Sequence, residues 1–161
     1  MKYFSFLCLS LFVLAFGNAQ KTENGLITKK SPYSEAATYT KLRSLLENNP
    51  NLKILLELDH SKNAASVDLK LPPTRIILFG NPKLGTPLMQ ASPSTAIDLP
   101  QKILVYADGE GTKIAYNDPI YLKERHGIEG KSAVLEKVSK ALQTITNKVI
   151  GCFLLKIAVS W

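Results

Sequence analysis

Residues Arg75 to Met89 read RIILFGNPKLGTPLM, an apolar run followed by two glycines separated by four residues. Ile76 to Phe79 is apolar at consecutive positions, and so is Ile103 to Tyr106. A strand with one wet face alternates, so these two are expected in the middle of a sheet with both faces shielded from water. Thr86-Pro87 predicts a helix start just beyond the second glycine. The glycine spacing is that of a phosphate-binding loop, which also requires Lys and then Ser or Thr directly after the second glycine. Here Thr86 and Pro87 hold those places, and Pro87 removes an amide donor, so nucleotide hydrolysis is excluded. Gly80, Asn81, Pro82 and Gly85 are what a tight strand-to-helix turn needs. Anion binding at the helix N-terminus, with Lys83 nearby, is the competing reading.

The surrounding chain supplies the other layers. Ser34 is placed to cap a helix whose Tyr39, Leu42, Leu45 and Leu46 form an apolar stripe, and Asn49-Pro50 stops it. Leu26-Ile27 forms a short strand. Lys53 to Asp59 alternates Ile54, Leu56 and Leu58 against Leu55, Glu57 and Asp59, the pattern of a half-buried strand. Ser61 to Lys70 reads as a loop or short helix. Asp108-Gly-Glu-Gly111 signals a hairpin returning through Lys113 to Tyr116. Asp118-Pro119 opens a short helix that Gly127 ends. A final helix places Leu135, Val138, Leu142, Ile145 and Val149 on one seam, with Lys137, Lys140 and Lys148 away from it. The order predicts an α+β two-layer sandwich: about five mostly antiparallel strands, helices packed on one face, and a long C-terminal helix. The other face then needs a cover, for which a second subunit or the tail Gly151 to Trp161 are the candidates.

The N-terminus reads as an address. Lys2, the apolar run Phe4 to Phe16 and Gly17-Asn18-Ala19 describe a secretory signal peptide over residues 1–19, leaving Gln20 first and placing the protein in the periplasm or outside the cell. The run is shorter than the ~20 residues of a membrane span. Residues 20–150 then form a single domain, followed by an apolar tail, 151–161. The tail is also too short to span a bilayer, and adding a strand or packing under the sheet suits it best. The whole chain carries a formal charge of +7; losing Lys2 and no acid leaves +6. Those charges are mostly lysines scattered along the chain without arginine clusters or interleaved aromatics, which describes a solvated surface rather than a nucleic-acid binder. Cys152 is the only cysteine left after cleavage, so no internal disulfide forms, and its apolar neighbours predict a buried, unreactive thiol.

Asp59-His60, Leu71-Pro-Pro-Thr-Arg75, Phe79-Gly-Asn-Pro82 with Gly85-Thr86 and Leu88-Met89, Asp98-Leu-Pro100, Tyr116-Asn-Asp-Pro119 and Arg125-His-Gly127 together resemble the prokaryotic family catalogued as domain of unknown function 302. The match runs from about Leu26 to Ile150. The resemblance implies a compact α+β domain that often pairs as a homodimer; it implies no reaction. Asp68 stands where relatives usually have Gly, and Gly151 to Trp161 runs past the family's usual end.

Polar residues at strand ends and helix starts, Asp59, His60, Gly80, Asn81, Gly85, Thr86, Asn117, Asp118 and His126, are the candidate site for a small anionic or apolar ligand or a partner. No catalytic residue and no cofactor motif is identified. His60 as general base, oriented by Asp59 or Asp118, is the enzymatic alternative, a hydrolase or isomerase. Metal handling is the third reading. It has only two histidines to draw on and neither H-x-x-x-H nor C-x-x-C, so structural roles for His60 and His126 are expected instead.

Overall fold

A computed structural model describes residues 20–21 and 24–151. The expected signal peptide and the tail from Cys152 onward lie outside the described residues. Five antiparallel strands make the sheet: β2 (Leu26–Ser31), β3 (Lys53–Asp59), β4 (Thr74–Gly80), β5 (Gln101–Asp108) and β6 (Gly111–Asn117). A two-residue strand, β1 (Gln20–Lys21), extends one edge, giving the order β1-β2-β6-β5-β4-β3. Helices α1 (Glu35–Glu47), α2 (His60–Ala65), α3 (Pro82–Ala91), α4 (Pro119–His126) and α5 (Ser132–Val149) complete the α+β fold, with a 3-10 turn at Pro93–Ile97.

The expected helix signals operate as physical caps. Ser34 Oγ accepts from the Ala37 amide at 3.3 Å, and Asp118 Oδ1 accepts from the Ile120 amide at 3.0 Å. Gly127 ends α4 in the left-handed conformation, φ 60°, which costs glycine nothing. Tyr39, Leu42 and Leu46 of α1 and the seam Leu135, Val138, Leu142, Ile145 and Val149 of α5 are all buried. Most of them meet Ile77 and Phe79 of β4, Ile103 and Val105 of β5, and Ile114 and Tyr116 of β6 in one core, where each large side chain contributes about 1.5–3 kcal/mol. Lys29, 4% exposed, ties β2 to α5: its Nζ donates to Thr146 Oγ1 and Asn147 Oδ1, each at 2.7 Å. At Gly25, φ 78°, an added Cβ would lie 2.1 Å from Tyr121 Cγ, so only glycine fits beneath that ring.

Two expectations are corrected. First, a β-bulge between Ile54 and Leu56 breaks the alternation of β3. Beyond it Glu57 pairs with Ile77 and turns to the helix side, where its carboxylate accepts from Tyr39 Oη at 2.8 Å. Leu55 and Leu56 are left about half exposed at the sheet edge. Second, α3 begins at Pro82, a turn before Thr86-Pro87. Asn81 caps it and Pro82 fills the first position, so Gly85 stands inside a helix that the sequence pattern placed after it, and Pro87 lies within the helix instead of at its start. Among the described residues, helices cover one side of the interior strands. Ile77, Phe79, Ile103 and Val105 face the helices and are buried, while Ile76, Leu78, Leu104 and Tyr106 point to the opposite face and are only partly covered.

Candidate functional site

The β4–α3 turn opens onto a cavity of about 330 Å³. One wall is the turn and helix itself, Phe79 to Pro82 and Leu84 to Met89 except Pro87. Another is the buried seam of α5: Val138, Leu142 and Ile145, with Ala141 beside them. Leu52, Lys53 and Leu55 at the start of β3, and Leu99, Pro100 and Gln101 at the start of β5, close it. Three wall positions carry little or no side chain: Gly80 at the end of β4, Gly85 on α3 and Ala141 on α5. A Cβ added at Gly85 would rest 3.7 Å from Leu99 Cδ1, an ordinary contact, so this glycine is set by room and not by backbone conformation.

Nearly all of the lining is hydrocarbon, and most of its polar groups are already committed. Asn81 Oδ1 accepts the Lys83 amide at 2.9 Å, and the Asn81 carbonyl accepts the amides of Leu84 and Gly85 at 2.9 and 3.0 Å. Pro82 has no amide. The start of α3 thus keeps none of these donors for an anion, and the glycine spacing that suggested one serves a capped turn. Lys53 lines the cavity and is exposed.

Of the nine residues read from sequence, Gly80, Asn81, Gly85 and Thr86 come together in this cavity; Asp59, His60, Asn117, Asp118 and His126 are not part of its lining. Asp59 caps α2, accepting from Ser61 Oγ at 2.5 Å and from the Lys62 amide at 3.1 Å. The Ser61 hydroxyl, more than the Lys62 amide, holds its carboxyl below the usual carboxylate range. His60 is partly buried, and no hydrogen bond to its imidazole is present among the described residues. Asn117 pairs with Leu26 at the end of β6, and the Asp118 amide donates to the Gly25 carbonyl at 2.8 Å. His126 is placed by two contacts: Nε2 lies 2.6 Å from Asp98 Oδ2 and Nδ1 lies 3.0 Å from Ser94 Oγ. With both ring nitrogens engaged it joins the end of α4 to the segment before β5. No group of three His, Cys, Asp or Glu side chains that could hold a metal ion occurs among the described residues.

Sequence reading passed over Gln101, Leu99 and the α5 wall. The α5 residues carry the ordinary seam of a core helix, and only the placement of α3 beside them turns that seam into a cavity wall. Gln101 offered one faint signal, a polar residue immediately ahead of an apolar strand.

Over residues 27–145 the chain matches the family model described as Domain of unknown function DUF302, and it belongs to that family. Its fold is similar to the crystal structure of an uncharacterized conserved protein DUF302 from Bacillus stearothermophilus, with a TM-score of 0.62 and 16% identity, covering 80% of this chain and 97% of that one. It is also 35% identical over 128 residues to proteins named Fluoride-specific ion channel FluC 1 from Brucella suis biovar 1 (strain 1330) and Brucella abortus biovar 1 (strain 9-941). Those alignments cover 79% of this chain and 49% and 46% of theirs, so the chain spans about half the length of the curated relatives it matches. No helix among the described residues is long and apolar enough to cross a membrane.

Proposed function

We propose that the protein is an exported, non-enzymatic module that takes a small apolar ligand into the cavity between α3 and α5. The observation that carries this reading is the cavity: a hydrocarbon-walled space beside the core, bordered by Gly80, Gly85 and Ala141, where little or no side chain intrudes. The bonded amides at the start of α3 favour an apolar ligand over an anionic one. Thermal unfolding of the purified protein with short aliphatic compounds tests it. Ligand at about a hundred times its dissociation constant stabilises by about 2.7 kcal/mol. Gly85→Leu, which fills the space, abolishes the shift. A wild-type protein whose melting temperature no aliphatic compound moves contradicts the reading. The export part is tested by cell fractionation, where recovery of the uncleaved chain in the cytoplasm contradicts it.

We further propose that the protein pairs as a homodimer through the sheet face away from the helices. Leu58, Ile76, Leu78, Leu104 and Tyr106 share that face by register and are only partly covered, and Leu56 beside them is 50% exposed.

A second reading rests on the Brucella relatives: the domain works beside a membrane ion channel as a separate or appended module. Deleting its gene would then change growth in fluoride-containing medium. Unchanged growth across fluoride concentrations removes this reading.

A further inference from the structure

Two motifs of the sequence, Asp98-Leu-Pro100 and Arg125-His-Gly127, meet in the fold and bring a serine with them. Asp98 follows the 3-10 turn Pro93–Ile97, which carries Ser94, and His126 is the last residue of α4. His126 Nε2 lies 2.6 Å from Asp98 Oδ2, and Nδ1 lies 3.0 Å from Ser94 Oγ. Arg125 Nη1 approaches the same Asp98 oxygen at 3.4 Å. The ring and the carboxylate are shielded, 5% and 11% exposed, whereas Ser94 is open to solvent. An ionised carboxylate only accepts, so Nε2 donates to Asp98. In the neutral ring Nδ1 is then the acceptor, and the Ser94 hydroxyl donates to it. A line of hydroxyl, imidazole and carboxylate is the arrangement that activates a serine, here with the two ring nitrogens exchanged relative to the commoner form. None of Ser94, Asp98 and His126 lines the cavity.

We propose that Ser94 is a nucleophile that takes up an acyl group from an activated ester, a thioester or aryl ester, with His126 as general base and Asp98 as the positioning residue. Ser94 Oγ bonds to the acyl carbon as its proton passes to His126 Nδ1. The bond from that carbon to the thiol sulfur or phenol oxygen breaks, and the departing thiol or phenol takes the proton from Nδ1. Because the hydroxyl is exposed, a donor reaches it directly. A serine alkoxide is a far poorer leaving group than a thiolate or phenolate, so the acyl group stays on Ser94. The site is therefore one of covalent modification, separate from the cavity and independent of its reading. Ser66 supplies the contrast. It is exposed too, but its hydroxyl donates to the Asn63 carbonyl at 2.7 Å, an acceptor that does not take up the proton.

The test is a time course of the purified protein with p-nitrophenyl acetate, in which mass spectrometry of fragments maps each acetyl group. Ser94 is expected to be acetylated about a hundredfold faster than Ser66, the scale of a positioned general base. Ser94→Ala removes the fast acetylation, which separates it from Ser92, whose Oγ lies 3.2 Å from that of Ser94. His126→Gln brings Ser94 down to the rate of Ser66. Asp98→Asn keeps the shape, but its amide can donate to Nε2 and so move the ring proton to Nδ1; it slows Ser94 by about tenfold or more and decides the matter where His126→Gln does not fold. Equal rates at Ser94 and Ser66 in the wild type, the result of a purely structural His126, overturn the proposal. So does fast acetylation of Ser94 that persists in a folded His126→Gln or Asp98→Asn protein, or fast acetylation that falls on Ser92 instead.

Discussion

Arg75 grips Glu35 through two parallel hydrogen bonds, Nε to Oε1 and Nη2 to Oε2, each 2.8 Å long. The pair joins the first turn of α1 to β4, and the Arg75 guanidinium lies 4.1 Å from the centre of the Tyr39 ring. Glu35 is 7% exposed. Replacing Arg75 with Gln therefore strands a buried carboxylate, and urea unfolding should show a loss of about 3–5 kcal/mol. Arg75→Lys keeps the charge but loses the fork and the ring contact, and should cost a smaller part of this. Equal stability of Arg75→Gln and wild type would show that Glu35 is hydrated in solution.

Gly85 gives a prediction of opposite sign. It stands inside α3 with ordinary room for a Cβ, so Gly85→Ala should stabilise the helix by about 0.5–1 kcal/mol. That corresponds to a rise of roughly 2–5 °C in melting temperature, read by calorimetry. A fall in melting temperature would mean that the α3–Leu99 contact is tighter than described.

Asp59 makes part of the stability depend on acid. Its folded-state pKa lies below the unfolded value because the Ser61 hydroxyl and then the Lys62 amide bond to the carboxylate. A carboxyl shifted in this direction contributes stability above its unfolded pKa, about 4, and loses it as pH falls through the folded value. Asp59→Asn can still cap α2 but has no such titration. Urea midpoints measured from about pH 6 down to about pH 2 should fall less steeply for Asp59→Asn than for wild type. Parallel curves would remove this role for Asp59.

The face opposite the helices predicts an assembly. Sedimentation should find the wild-type protein at twice its chain mass, and Ile76→Glu, which places a charge between its register partners Leu58 and Leu104, should release monomers. A wild-type monomer at high concentration contradicts the dimer.

Much of the frame was legible because it depends on local rules. Ser34, Asp118-Pro119 and Gly127 act within their own turns, the α5 seam follows a single helical period, and Asp108 to Gly111 specifies its own hairpin. What stayed hidden depends on distant partners. Glu35 sits in the first turn of α1, and nothing nearby in the sequence announces Arg75 forty residues later. Leu55 and Leu56 looked like members of an alternating strand until pairing with β4 introduced the bulge. Asp68, noted as a departure from glycine, adopts φ 58°, the left-handed region that favours glycine and that Asp tolerates better than most residues. The candidate site divided on the same line. The turn from Gly80 to Thr86 drew attention through its glycines, whereas Gln101 and the α5 wall become site residues only when four separate segments close around one space.

The most direct test of the central claim, that this cavity receives an apolar ligand, is to follow leucine and isoleucine methyl resonances while titrating the mature protein with an aliphatic methyl ketone. The account predicts shifts concentrated at Leu84, Leu88, Leu99, Leu142 and Ile145, which line the cavity. Unmoved resonances there, or shifts confined to Leu56, Leu78 and Leu104 on the other side of the sheet, would contradict it.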